Sequence, residues 1–224
     1  MHLWFIMDGN RRWAKRHAFQ TFLWHQEGRK RLEEIVELCY SEWVEYCSFW
    51  ALAKKNIESR STEELNYLYR MFEEGIESLL PRLIEKEIRF EWVGNPDILP
   101  VHIVELLANA VEQAKNGEKM TFILAIGYGG QDEIIRGIKD FVKRGGDIDS
   151  LDETTFLSSL DTGRFPAPDL IVRTGGDTRL SGYFLYQSEY SEYSFTDTLW
   201  PDFKQEEFYL ALSTLNNAKR NFWK

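Results

Sequence analysis

The sequence predicts one α/β domain, a mostly parallel central sheet covered by helices on both faces. Three observations carry that prediction. Short apolar runs such as Met120 to Ile126 have the unbroken hydrophobicity of strands buried on both faces. Between them lie stretches whose apolar residues recur every three or four positions, the period of an amphipathic helix. The two kinds alternate along 224 residues with no repeat, low-complexity tract or linker, and 43% hydrophobic content suffices for one sizeable core.

Leu3 to Met7 reads as the first strand, which runs into Asp8 and a small turn at Gly9-Asn10. A basic stretch with helical character follows, Arg11-Arg12-Trp13-Ala14-Lys15-Arg16. Leu32, Ile35, Val36 and Cys39 mark one face of a helix from about Gln26 to Ser41, and a strand follows through Tyr46 to Leu52. Leu65, Leu68, Phe72, Ile76, Leu79 and Leu83 line one side of a long helix, Glu63 to Glu85. The strand Ile88 to Val93 stops at Gly94-Asn95-Pro96, where glycine and proline punctuate the chain. Ile103, Leu106, Leu107, Ala110 and Ala114 define the next helix, and Ile134, Ile135, Ile138 and Phe141 the one after the Met120 strand. Residues 145–167 are rich in turn formers and are predicted as a loop with one short helix. A strand at Leu170–Val172 and a final helix holding Phe208, Ala211, Leu212 and Leu215 complete the order.

Composition narrows the function. A net charge of −9 argues against nucleic acid, so an anionic substrate must be drawn by a local basic cluster. No apolar run approaches the roughly 20 residues of a membrane span. No leader is expected ahead of Asp8, since strand and motif begin almost at Met1, and a cytoplasmic place follows from that expectation. Cys39 and Cys47 stand in apolar segments, as buried thiols of a reducing compartment would, and no zinc pattern is present.

Ligands of open α/β sheets gather beyond the carboxyl ends of the strands, and Asp8, Lys54, Gly127 and Arg173 all follow predicted strands. Glycine at position 9 lets the backbone approach an anion, and freed amides at a helix start point toward it. Arg11 and Arg12 add charge-assisted hydrogen bonds suited to phosphate. Asp8 repels phosphate unless a divalent ion such as Mg²⁺ lies between them. The same residues also describe an N-capping Asp on a helix with an exposed basic face. A second basic group, Arg173, Arg179 and Ser181 beside Gly175-Gly176, fits another diphosphate, with surface ion pairing as the plain alternative. Gly127-Tyr128-Gly129-Gly130 lacks the spacing of a nucleotide loop and reads better as a tight strand-to-helix turn.

Asp8-Gly9-Asn10-Arg11-Arg12-Trp13-Ala14-Lys15 resembles the signature of the cis-prenyltransferases, the undecaprenyl diphosphate synthase family. Asp169 to Asp177, Arg179, Ser181, Phe195-Thr196-Asp197 and Leu199 to Phe203 match that family's downstream motif, so the resemblance spans nearly the whole chain. It implies Mg²⁺-dependent condensation of isopentenyl diphosphate onto an allylic diphosphate such as farnesyl diphosphate, in a cleft whose apolar tunnel holds the prenyl chain. The residues from Gly9 to Arg12 would hold the allylic diphosphate, and Trp13 and Arg60 would also bind substrate. Arg173, Arg179 and Ser181 would hold isopentenyl diphosphate, and loss of Arg173 would weaken that substrate alone. Asp8 would bind Mg²⁺ with help from Glu192, Asn56 would serve the proton-abstraction step, and His25 would stand beside the allylic diphosphate. The resemblance further implies a homodimer whose product is handed on at the membrane surface. A non-catalytic diphosphate-binding partner subunit is the alternative, although such relatives typically lose the Asp-Gly-Asn motif that is intact here.

Departures from the pattern concern details. Ala53-Lys54-Lys55 stands where many members have Ser-Ser-Glu, one residue is inserted before Arg60, and Thr21 replaces an arginine. Gly127 and Gln131 replace an Asn and an Arg flanking Tyr-Gly-Gly. Of the 8 tryptophans, Trp24, Trp43 and Trp223 stand where the resemblance implies glycine, and Trp4 occupies a strand position that is usually small. A gene in which UGA encodes glycine, translated with another code, would produce the three and could include Trp4; the alternative is that these tryptophans are genuine and locally accommodated. At position 43 that expectation is specific: a helix C-terminus with positive φ.

Overall fold

In the computed structural model the chain is described over residues 1–17 and 23–218, and residues 23–25 by backbone alone. Six strands form one sheet: β1 (His2–Ile6), β2 (Tyr46–Ala53), β3 (Ile88–Val93), β4 (Met120–Tyr128), β5 (Leu170–Arg173) and β6 (Glu192–Phe195). Their order is β3-β4-β2-β1-β5-β6, and every registered pair is parallel. The prediction of a mostly parallel sheet is thus met by one in which all the described pairs are parallel. β1 lies between β2 and β5, so the chain leaves it in one direction and returns on its other side much later. That is the switch point where a crevice opens at the carboxyl edge.

Alternation along the strands divides the core in two. Leu3 and Phe5 face one side, where Phe49, Phe90 and Phe122 join them beneath the helices. Trp4 and Ile6 face the other, packed with Ile123, Ile171, Tyr183 and Phe184. The helices are α1 (Asn10–Arg16), α2 (Leu23–Ser41), α3 (Lys54–Ser59), α4 (Thr62–Glu85), α5 (Val101–Ala114), α6 (Gly130–Lys143), α7 (Glu153–Leu157) and α8 (Gln205–Asn217). α4 starts where Ser61 accepts the Glu64 backbone N–H, and Glu63 and Glu64 lie at the positive end of its dipole. Leu68, Ile76, Leu79 and Leu83 form its buried face, as the period predicted. Two elements were not visible in the apolar pattern. α3 is a single polar turn after β2, and β6 is an edge strand with partly exposed side chains. Cys39 and Cys47 are free, buried thiols, and no described helix is long and apolar enough to cross a membrane.

α2 ends at a left-handed residue, and that residue is Trp43, with φ of 57°. Val44 N–H donates to the Cys39 carbonyl at 3.0 Å and Trp43 N–H to the Tyr40 carbonyl at 3.3 Å, the paired bonds of a Schellman turn. The Trp43 side chain is 87% exposed. Trp24 lies in α2 with its side chain outside the described residues, as do Thr21 and Trp223 altogether.

Candidate active site

Asp8 leaves β1 and Arg173 closes β5, and because those strands are neighbours the two meet. Arg173 Nη2 donates to Asp8 Oδ2 at 2.8 Å and to Asp177 Oδ2 at 3.1 Å, while Nη1 donates to Ser181 Oγ at 2.7 Å. The Arg173 side chain is only 4% exposed. Arg12 donates to the Gly175 carbonyl at 2.5 Å and to Asp8 Oδ1 at 3.2 Å. Arg179 forks onto both oxygens of Asp177 at 3.0 and 2.7 Å. The two basic groups expected to act separately are therefore one cluster, joined through the Asp8 carboxylate. Burial pushes the Asp8 carboxyl up, but the hydrogen bond and charge of Arg173, with the charge of Arg12, outweigh it and hold the group below the ordinary carboxylate value.

Backbone fixes this carboxylate from below. The Asp8 carbonyl accepts Thr174 Oγ1–H at 2.7 Å and Trp200 N–H at 3.0 Å. Gly175 and Gly176 donate to the carbonyls of Thr198 and Thr196, each at 2.8 Å, so the two downstream motif segments clamp each other. Gly175 has φ of 87°, and a Cβ there would meet Arg12 Nη2 at 2.6 Å. Gly9, with φ of 106°, lies 2.8 Å from Leu199 by the same measure and lets the chain turn into α1.

The cluster opens into a cavity of about 1330 Å³. Asp8, Gly9, Asn10, Arg11, Arg12, Asn56, Arg60, Arg173, Arg179 and Ser181 line its polar part. Leu68, Met71, Phe72, Ile76 and Leu79 of α4, with Phe90, Phe122 and Leu124 of the sheet, line its apolar part. Arg60 caps α3 and pairs with Glu64 at 3.1 Å, and Arg11 reaches the same carboxylate. The Asn10 side-chain oxygen is buried, close to Gly28, and has no hydrogen-bond partner among the described residues. Lys54 lines the cleft, but Gly127 does not. Gly127 and Tyr128 close β4 and Gly130 opens α6, so the strand-to-helix turn is the single residue Gly129, the N-cap.

Glu192 and Trp13 stand away from the cavity lining. Glu192 is registered with Leu170 while Phe195 is registered with Arg173, so Glu192 sits at the opposite end of β6 from the cleft. Trp13 is buried against Ala14 and Leu199, and its indole N–H donates to Asp202 at 2.8 Å, so it braces α1 rather than lining the cleft. His25 lies in α2, and its side chain falls outside the described residues. Asp177 and Thr174 were missed as site residues. The signal for Asp177 was an acid between two arginines, four residues after Arg173 and two before Arg179. Among the described residues no group of three acidic, His or Cys side chains could hold a metal. A hard cation at Asp8 would need phosphate oxygens and water to complete its shell, which is how Mg²⁺ is ordinarily bound.

Cations along one part of the cavity and hydrocarbon along another suit a molecule with an anionic head and an apolar tail, which defines the protein as an α/β protein with a cleft for amphiphiles. The prenyltransferase family model, described as undecaprenyl diphosphate synthase, matches residues 6–223, and the chain belongs to that family. The ditrans,polycis-undecaprenyl-diphosphate synthase of Micrococcus luteus, specific for (2E,6E)-farnesyl diphosphate, is 36% identical over 99% of this chain and 90% of its own length. The geranylgeranyl-diphosphate-specific tritrans,polycis enzyme of Thermoplasma acidophilum is 36% identical over 99% of this chain and 88% of its own. A crystal structure of lavandulyl diphosphate synthase from Lavandula x intermedia, with dimethylallyl diphosphate, superposes with a TM-score of 0.92 at 32% identity. That match covers 98% of this chain and 96% of the other.

Proposed function

We propose that this prenyltransferase is Mg²⁺-dependent and elongates an allylic diphosphate, such as farnesyl diphosphate, with isopentenyl diphosphate to give a cis-polyprenyl diphosphate. The observation that carries the reading is the Asp8–Arg173 bond, which joins the two basic motifs in one cavity that also has a large apolar lining. At about 1330 Å³ the cavity exceeds the roughly 300–1,000 Å³ of small-ligand sites, which supports a growing hydrocarbon product. Mg²⁺ on Asp8 would neutralise the allylic diphosphate and improve it as a leaving group. Arg12 and the backbone at Gly9 and Gly175 orient that diphosphate, while Arg179 and Ser181 hold its partner. The double bond of isopentenyl diphosphate attacks the allylic carbon as its C–O bond breaks, and loss of a proton leaves the new cis double bond. Asn56 lines the cleft, and an amide is too weak a base to keep that proton. It orients the departing diphosphate or a water that takes the proton.

Pairing as a homodimer and release of product at the membrane surface belong to the same proposal, and sedimentation and vesicle co-flotation check them. The deciding experiment incubates the purified protein with farnesyl diphosphate, labelled isopentenyl diphosphate and Mg²⁺. Labelled products longer than farnesyl are expected and should vanish with a chelator. Their absence in the presence of Mg²⁺ sinks the reading.

A further inference from the structure

Of three neighbouring strands, β2 runs directly into Lys54, β1 is followed two residues on by Asp8, and β5 ends in Arg173, and all three residues line one cavity. Lys54 lines the same cleft as Arg179 and Ser181. It also lies against the glycine turn that reaches them. Its Cβ is 3.5 Å from where a Gly129 Cβ would stand, and Gly130 N–H donates at 2.7 Å to the carbonyl of Gly182, the residue after Ser181. In the present arrangement Lys54 Nζ is held by Asp132 at 2.6 Å and, more loosely, by Glu58 at 3.7 Å.

That tether is easily exchanged. Asp132 keeps Arg136 Nε at 2.8 Å and Asn95 Nδ2 at 3.3 Å when Lys54 leaves, so no buried charge is orphaned. Arg12, Arg173 and Arg179 face Asp8 and Asp177, so these five groups carry one net positive charge, and Arg11 and Arg60 share Glu64; a further cation on the Ser181 side would strengthen the hold on a second diphosphate. The Asp132 hydrogen bond raises the Lys54 ammonium above its ordinary range, so the charge is present throughout the neutral region.

We propose that Lys54 is a substrate-binding residue, a cation stored on Asp132 that swings to the diphosphate of isopentenyl diphosphate beside Ser181. The inference rests on the two-substrate reading above, and calorimetry with inorganic pyrophosphate separates the two. Lys54→Gln is expected to weaken pyrophosphate binding about tenfold, Lys54→Arg to restore most of it, and Asp132→Asn to leave it equal or tighter. In the elongation assay Lys54→Gln raises the KM for isopentenyl diphosphate by a similar factor while kcat and the allylic KM change less than about twofold. Undiminished pyrophosphate binding in Lys54→Gln overturns the assignment. So does an equal fall in melting temperature for Lys54→Gln and Asp132→Asn with binding unchanged, the signature of a purely structural ion pair. A protein that binds pyrophosphate yet elongates nothing rejects the chain-elongation reading and leaves Lys54 to be judged by its own titration. No pyrophosphate binding by the unsubstituted protein overturns both.

Trp43 carries a second, independent inference. It holds the left-handed position of a Schellman turn with φ of 57°, and its ring gains nothing there because it is 87% exposed. A left-handed conformation is strained for any residue with a Cβ and free for glycine. We infer that the natural residue at 43 is glycine, as when a UGA codon read as glycine is written as tryptophan. The gene decides: UGA at 43 is expected, and UGG at 43 overturns the inference. Trp43→Gly should raise the melting temperature by about 2–4 °C, and a fall would count equally against it.

Discussion

Asp8→Ala is expected to lower kcat at least about 100-fold, roughly 2.7 kcal/mol of transition-state stabilisation, while the protein stays folded. The magnitude follows from position. Asp8 is the carboxylate to which both arginine groups converge, and its charge is retained because Arg173 and Arg12 outweigh its burial. The fold tolerates the loss because the β1 backbone is held through the Asp8 carbonyl, not its side chain, and Arg173 keeps Asp177 and Ser181. Asp8→Asn, which keeps the shape and loses the charge, should be nearly as inactive. The carboxyl is depressed in the fold, so its contribution to stability is present above about 3.8, its unfolded value, and is lost as pH falls through the lower folded value. In Asp8→Ala that stretch of the stability–pH curve flattens. Steady-state rates and circular dichroism together check the prediction. A variant with more than about a tenth of normal activity would remove Asp8 from the chemistry.

The sheet was legible because period is a local property. β3 was read to the residue, and most other elements differ from their predicted bounds only at the ends, where neither caps nor apolar spacing fixes a boundary. α3 and β6 were not visible in the apolar pattern because one is a short polar turn and the other an edge strand that needs no buried face. In the site, residue types announced the anion chemistry, but contacts between distant segments did not. Asp8 and Arg173 are 165 residues apart, and only the β1–β5 pairing brings them together. Glu192 illustrates the converse. Its place in a matching motif said nothing of register, and three positions along β6 separate it from the cleft end. Trp13 likewise follows Arg12 in sequence, but one step around a helix turns it toward Asp202 and the core.

Substitution of Arg173 tests whether the two anion sites are one. Arg173 spans Asp8, Asp177 and Ser181 from a nearly closed position, with a fork that a lysine cannot reproduce. If the sites were separate, Arg173→Ala would raise the KM for isopentenyl diphosphate alone. The observed bond to Asp8 predicts instead that kcat falls at least about tenfold and that both KM values rise, because the carboxylate that joins the two proposed anion sites loses its main partner. Two half-buried carboxylates, Asp8 and Asp177, would then face each other with less cation between them, so stability should fall by roughly 2 kcal/mol. That is below the 3–5 of a fully buried pair, since both acids reach solvent. Arg173→Lys should recover part of the stability and little of the rate, because one ammonium cannot serve three acceptors in this geometry. The measurements are initial rates over both substrate concentrations and thermal unfolding of each variant. A change confined to the isopentenyl diphosphate KM would show two independent sites, and a fully active Arg173→Lys would show that charge alone suffices.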